Sequence, residues 1–151
     1  MNTSIYRVKF NKNSDELNYD YERLADYEKE RISQLEADCF FDYDDNDGSY
    51  ICFIVTNHIE IKAYVSILNN NLINHTVKDL SKDALKCKVD LDIELKDKIL
   101  TTNQIKFSIF MEGINEWILE NLDIDTVLDR INEVGINKLR SVEKEFLNNY
   151  K

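Results

Sequence analysis

The chain has 151 residues, 43% of them apolar and 11% aromatic, and carries a net charge of -10. That length suffices for one domain burying about 70% of the surface its unfolded chain exposes, and with no Pro-, Gly- or Ser-rich boundary a single domain over 1–151 is expected. No apolar run approaches the roughly 20 residues of a membrane span, and the first residues, Met1 to Arg7, lack the basic and apolar regions of a secretion signal, so a cytoplasmic protein with no membrane role is expected.

In chain order, Ile5 to Phe10 alternates, with Tyr6, Val8 and Phe10 on one side and Arg7 and Lys9 on the other, which predicts a first strand. Asn11 to Ser14 offers a turn and an N-cap at Asn13 or Ser14, with Asp15 and Glu16 where the helix dipole favours acids. A helix is expected from there to about Ala37, since Leu17, Tyr21, Leu24, Ile32 and Leu35 recur near a spacing of 3.6 while Asp20, Glu22, Asp26, Glu30 and Glu36 face water. Glu28 falls nearest the apolar stripe and is the misfit of that register.

Cys39 to Tyr43 predicts a short strand, and Asp44 to Gly48 a turn. Tyr50 to Val55 is continuously apolar, as befits a central strand covered on both faces. After a turn at Thr56 to His58, the alternation of Ile59, Ile61, Ala63, Val65 and Ile67 with Glu60, Lys62, Tyr64 and Ser66 predicts a further strand. A turn at Asn69 to Asn71 leads to a strand over Leu72 to Val77, and Leu80 to Ala84 reads as loop or one helical turn.

From Leu85 to Leu95 every odd position is apolar and every even one charged, which places Cys87, Val89, Leu91 and Ile93 on one face of a strand. Thr101 and Gln104 have the spacing of a capping box and open a helix to about Leu122, whose apolar residues Phe107, Phe110, Ile114, Trp117 and Ile118 extend beyond one stripe and demand burial. Asp123 or Asp125 caps a helix closed by Gly135, and a last helix runs from Asn137 to about Asn149. The fold class expected is α+β: an antiparallel sheet of about four to six strands with an N-terminal helix and the C-terminal helices packed on it.

Chemistry-bearing motifs are sparse. The run from Asp42 to Gly48 invites a calcium loop, but position 6 is Asp47 where a glycine is needed and position 12 is Phe53 where a glutamate is needed. His58 and His75 lack companions at zinc spacing, and three scattered glycines make no phosphate loop. Cys39, Cys52 and Cys87 read as small core residues. Neither an enzyme nor a metal or other cofactor is expected.

Charge placement is more informative. Between Ser14 and Asp47 there are thirteen acids against three bases, whereas the rest of the chain holds sixteen of each. Tyr19, Tyr21, Tyr27, Tyr43 and Tyr50 lie on or beside that acidic stretch, and tyrosine recurs in binding hot spots. Acids interleaved with tyrosine suit docking onto a basic protein, with carboxylates standing where phosphates would. The candidate partner-binding residues are Asp20, Glu22, Asp26, Tyr27, Glu30, Asp38, Asp42, Tyr43, Asp44, Asp45 and Asp47. Charge reversal of Asp42, Asp44 and Asp45, taken as turn residues without core contacts, is expected to matter more than reversal of Glu133, Glu143 and Glu145.

The expectation is therefore a small binding or inhibitor protein, of the immunity-protein or phage anti-defence type, with a nuclease or other nucleic-acid-binding enzyme as the natural basic partner. The same acidity disfavours direct nucleic-acid binding. Two alternatives stand beside it: a homo-dimer or larger structural oligomer formed through the helix around Phe107 to Leu122, and a ligand-binding domain with a pocket between sheet and helices.

Overall fold

The computed structural model describes residues 2–44, 46–86 and 104–150, with side chains of the long C-terminal helix described from residue 108. The chain is α+β and divides into two compact units, residues 1–80 and 81–151. Among the described residues there are four strands in one antiparallel sheet and seven α-helices.

The first unit runs β1 (Thr3–Phe10), α1 (Ser14–Glu22), α2 (Asp26–Leu35), β2 (Phe40–Tyr43), β3 (Tyr50–Asn57), α3 (His58–Asn70) and β4 (His75–Asp79). Its sheet has the order β2-β3-β1-β4. Val8 pairs with Cys52 on one side of β1 and with Val77 on the other. The expected period-two pattern of β1 holds: Tyr6, Val8 and Phe10 are buried, and with Cys52 and Ile54 of β3 they meet Leu17, Ile32, Leu35, Ile61, Tyr64 and Leu68 from the three helices and Leu24 from the turn between the first two. β3 lies between β2 and β1 and its run Ile51 to Ile54 is buried throughout, as its unbroken hydrophobicity predicts for an interior strand.

In the first unit three elements differ from expectation. The helix expected over 14–37 is two helices, because the chain turns at Arg23 to Ala25. The misfit Glu28 belongs to that turn: its Oε1 accepts the Ala25 N–H at 3.2 Å, which caps α2, and its Oε2 accepts Asn71 Nδ2 at 2.9 Å. The strand expected over Ile59 to Ile67 is instead α3. β3 runs directly into it, leaving no residues for a hairpin, and the Asn57 side chain caps it by accepting the Glu60 N–H at 2.9 Å. The buried residues are Ile61, Tyr64 and Leu68, a helical spacing hidden inside the alternation. Ile59, placed inward by the strand reading, is 62% exposed, whereas Tyr64, placed outward, is fully buried. β4 starts at His75, so Leu72 to Asn74 precede the strand rather than begin it.

The second unit contains α4 (Ser81–Leu85), α5 (Gln104–Asn121), α6 (Ile124–Val134), a 3-10 turn at Ile136–Lys138 and α7 (Ser141–Asn149). Asp123 caps α6 by accepting the Thr126 N–H at 2.7 Å, and Gly135 follows at φ +83°, where a Cβ would be strained. α5 packs against α4 and α7. It buries Phe110, Ile114, Trp117 and Ile118, and Ile109 is left 65% exposed. The strand expected over Leu85 to Leu95 lies from Cys87 onward outside the described residues, as does Thr101 of the expected capping box; Leu85 itself ends α4.

Glu143, expected among ordinary surface acids, is fully buried. Its Oε1 accepts the Arg140 N–H and Arg140 Nε, both at 3.0 Å, and its Oε2 lies 3.4 Å from Arg130 Nε. The same Arg140 guanidinium donates to the backbone carbonyls of Ala84 at 2.8 Å and Leu85 at 3.3 Å. α7 is thereby fastened to α6 through the Glu143 carboxylate and to α4 through Arg140, which that carboxylate holds.

Trp117 is the sole tryptophan and only 5% exposed. Its emission should be blue-shifted and poorly quenched by iodide; emission like that of free tryptophan would contradict this placement.

Candidate functional site: the acidic face and the pocket beneath it

The structure sorts the acidic residues into three places. The first is the β2–β3 hairpin, where a single cation holds the carboxylates: Lys9 Nζ is 2.9 Å from Asp44 Oδ2 and 3.1 Å from Asp47 Oδ2. The Lys9 contact draws the Asp44 carboxyl below its usual range. Hydrogen bonds from Ser49, then Lys9, lower that of Asp47 to about 2. Tyr43 is half-exposed, its ring tilted against Tyr50 at 5.3 Å. Asp42, expected in a solvated turn, belongs to β2 and is 3% exposed, with Oδ1 accepting the Tyr43 N–H at 2.8 Å. It pairs in register with Ile51 rather than facing water. Asp45 lies outside the described residues.

The second place is the outer side of α1 and α2. Asp20 is ion-paired with Lys12. Glu22, Asp26, Glu30 and Asp38 are exposed, and among the described residues no cation lies within ion-pairing distance of them. Asp26 and Glu30 are one helical turn apart, and Tyr27 beside them is 76% exposed. Asp38 stands past the other end of α2, a helix of ten residues and so about 15 Å long. Tyr19 is 62% exposed on α1, with the Arg23 guanidinium 5.7 Å above its ring.

The third place is interior, and the sequence did not point to it. Glu36, expected to face water, sits where α1, α2 and α3 meet the sheet. Its Oε1 accepts hydrogen bonds from Tyr64 Oη at 2.6 Å and Tyr21 Oη at 2.7 Å, and the two hydroxyls are 3.3 Å apart. Burial raises the Glu36 carboxyl above its ordinary value, against the opposing effect of both tyrosines. Burial likewise raises Tyr21, Tyr64 and the nearby Cys52 thiol, since it disfavours the charged form of each. Above it a pocket of about 380 Å³ opens between α1 and α2, with buried Leu24 and Ile32 as walls, Tyr21 and Glu36 inside, and Glu22 and Lys29 at the exposed mouth.

The raised carboxyl has a pH consequence. The folded chain holds the Glu36 proton more tightly than the unfolded chain, so its contribution to stability is complete below the ordinary value of 4.5 and is lost as pH rises through the raised one. Glu36→Gln should therefore flatten the fall in stability above pH 4.5 in urea melts across pH; an unchanged slope would show that Glu36 is not responsible.

Among the described residues, no group of three or more His, Cys, Asp and Glu side chains is placed to hold a metal ion, and no helix is long and apolar enough to cross a membrane. Compared with family models, with curated proteins and with solved structures, the chain matches none.

Proposed function

We propose that the protein is a non-enzymatic binding protein of the inhibitor type, of the kind that neutralises a toxin or blocks a defence enzyme, and that it docks the outer side of α1 and α2 onto a basic, nucleic-acid-processing partner. One observation carries this: Tyr27 stands 76% exposed between Asp26 and Glu30, carboxylates with no cation within ion-pairing distance among the described residues. A large aromatic held in water beside unpaired acids combines a hot-spot anchor with a field that attracts a basic surface from a distance. The hairpin acids contribute less, because Lys9 already neutralises part of their charge.

The test is capture from host lysate on the immobilised chain, followed by binding kinetics at two ionic strengths with the captured enzyme. Asp26→Lys, Glu30→Lys and Asp38→Lys together should lower the association rate about tenfold or more at low salt and weaken its salt dependence. Reversal of the exposed Glu116, Glu120 and Glu145 in the second unit should do much less. Equal losses from both triples would reduce the effect to bulk charge, and loss from the second alone would put the working face elsewhere.

A further inference from the structure

Resting on the reading of α1 and α2 as the docking face, we infer that the pocket between these helices receives one long basic side chain of the partner, an arginine, whose guanidinium ends at Glu36 Oε2. The two tyrosines occupy only Oε1. Oε2 has no hydrogen-bond partner among the described residues, and it is not sealed from solvent. A carboxyl oxygen left open inside a pocket, in the part of the chain that carries the whole acidic excess, calls for a cationic donor.

The walls decide which cation. Leu24 and Ile32 offer apolar surface to an aliphatic stem, as long basic side chains require when they bury the stem and keep the charge at a polar end. A guanidinium is more weakly hydrated than an ammonium and loses less on entering such a pocket. Glu22 at the mouth adds attraction. Lys29 also lines the pocket, but it precedes Glu36 by seven residues on the same stretch of chain, about 10 Å of helical rise. The charged and titratable groups around Glu36 include Tyr21 and Glu22 from α1, Lys29 from α2, Tyr64 from α3, and Tyr50 and Cys52 from β3.

The experiment titrates the full chain with Nα-acetyl-arginine amide and follows the Glu36 carboxyl carbon and the Tyr21 and Tyr64 ring resonances by NMR. Saturable binding is expected, with none for the uncharged Nα-acetyl-citrulline amide. Glu36→Gln, which keeps an acceptor for both tyrosines, should weaken binding at least tenfold. Ser33→Trp fills the pocket from an exposed position, leaving Glu36, Tyr21 and Tyr64 themselves unsubstituted, and should weaken it equally, which keeps the test decisive even if Glu36→Gln fails to fold. Absence of saturable binding, equal binding of the citrulline probe, or wild-type affinity in Ser33→Trp overturns the inference.

A hexa-arginine peptide separates the pocket from the surface. Glu36→Gln should raise its dissociation rate and leave its association rate alone, whereas reversal of Asp26, Glu30 and Asp38 should lower the association rate. If only the reversal has its effect, the pocket falls and the docking face stands. If only Glu36→Gln has its effect, the docking face falls, and with it the assignment of the guanidinium to a partner's side chain.

Discussion

Glu143→Ala should destabilise the second unit by about 3–5 kcal/mol, the usual cost of removing one member of a buried charge group and leaving its partners uncompensated. The arginines left behind have nowhere better to go: the side chains of Arg130 and Arg140 are only 13% and 22% exposed. The loss also reaches the Arg140 backbone, whose N–H gives its proton to the same carboxylate at the start of α7. Glu145→Ala, two residues on and exposed, should change stability by no more than about 0.5 kcal/mol. Urea unfolding followed by Trp117 fluorescence reads the difference, because Trp117 lies in the same unit. Equal midpoints for the two variants would mean that Glu143 is not the fastening of α7.

Val8→Asp should be comparably severe in the first unit. Val8 is fully buried on the central strand, with Cys52 on one flank and Val77 on the other. Its side chain joins the cluster that includes Phe10, Ile54 and Tyr64. A carboxylate there would lie in a cluster that, among the described residues, holds no base, and should cost several kcal/mol or be forced to protonate. Lys9→Gln, on the neighbouring residue and the opposite face, gives up only surface ion pairs with Asp44 and Asp47 and should leave folding essentially intact. Circular dichroism melts of the two variants decide it; the reverse order would exchange the faces of β1 and undo the architecture of the first unit.

How much of this was legible in the sequence follows the range of the forces involved. β1, β2, β3 and the helices Gln104–Asn121 and Ile124–Val134 declare themselves through periodicity and caps, which act over a few residues, whereas the last helix, expected from Asn137, begins at Ser141 after a 3-10 turn. The α+β class follows from them. α3 reads as a strand because Ile59 to Ile67 satisfies a period of two while Ile61, Tyr64 and Leu68 satisfy a helical one; the absence of any residue for a turn after Asn57, which favours the helix, emerges only once β3 is seen to run its full length. The break at Arg23 to Ala25 carries neither proline nor glycine, and Glu28 signalled it only as a misfit. The interior site was illegible for a different reason. Glu36 is held by hydroxyls 15 and 28 residues away, and Asp44 by an amine 35 residues away. An acid alone does not reveal whether the fold will bring it a partner, so Glu36, Asp42 and Glu143 all looked like surface.

The strand order carries a consequence for how the first unit assembles and opens. β1 comes first in sequence and lies in the middle of the sheet, flanked by β3 and β4, whose chain positions are more than forty residues later. Only β2 and β3 form a local hairpin, so that ribbon is the piece able to form early, and β1 must be recruited across a long loop before β4 can add to its far side. Once assembled, the earliest segment is the best protected: amides of Tyr6 to Phe10 should exchange with solvent among the slowest in the unit, while those of the edge strands exchange first. Shortening this chain within its first ten residues would therefore remove the sheet's middle rather than trim a fraying end.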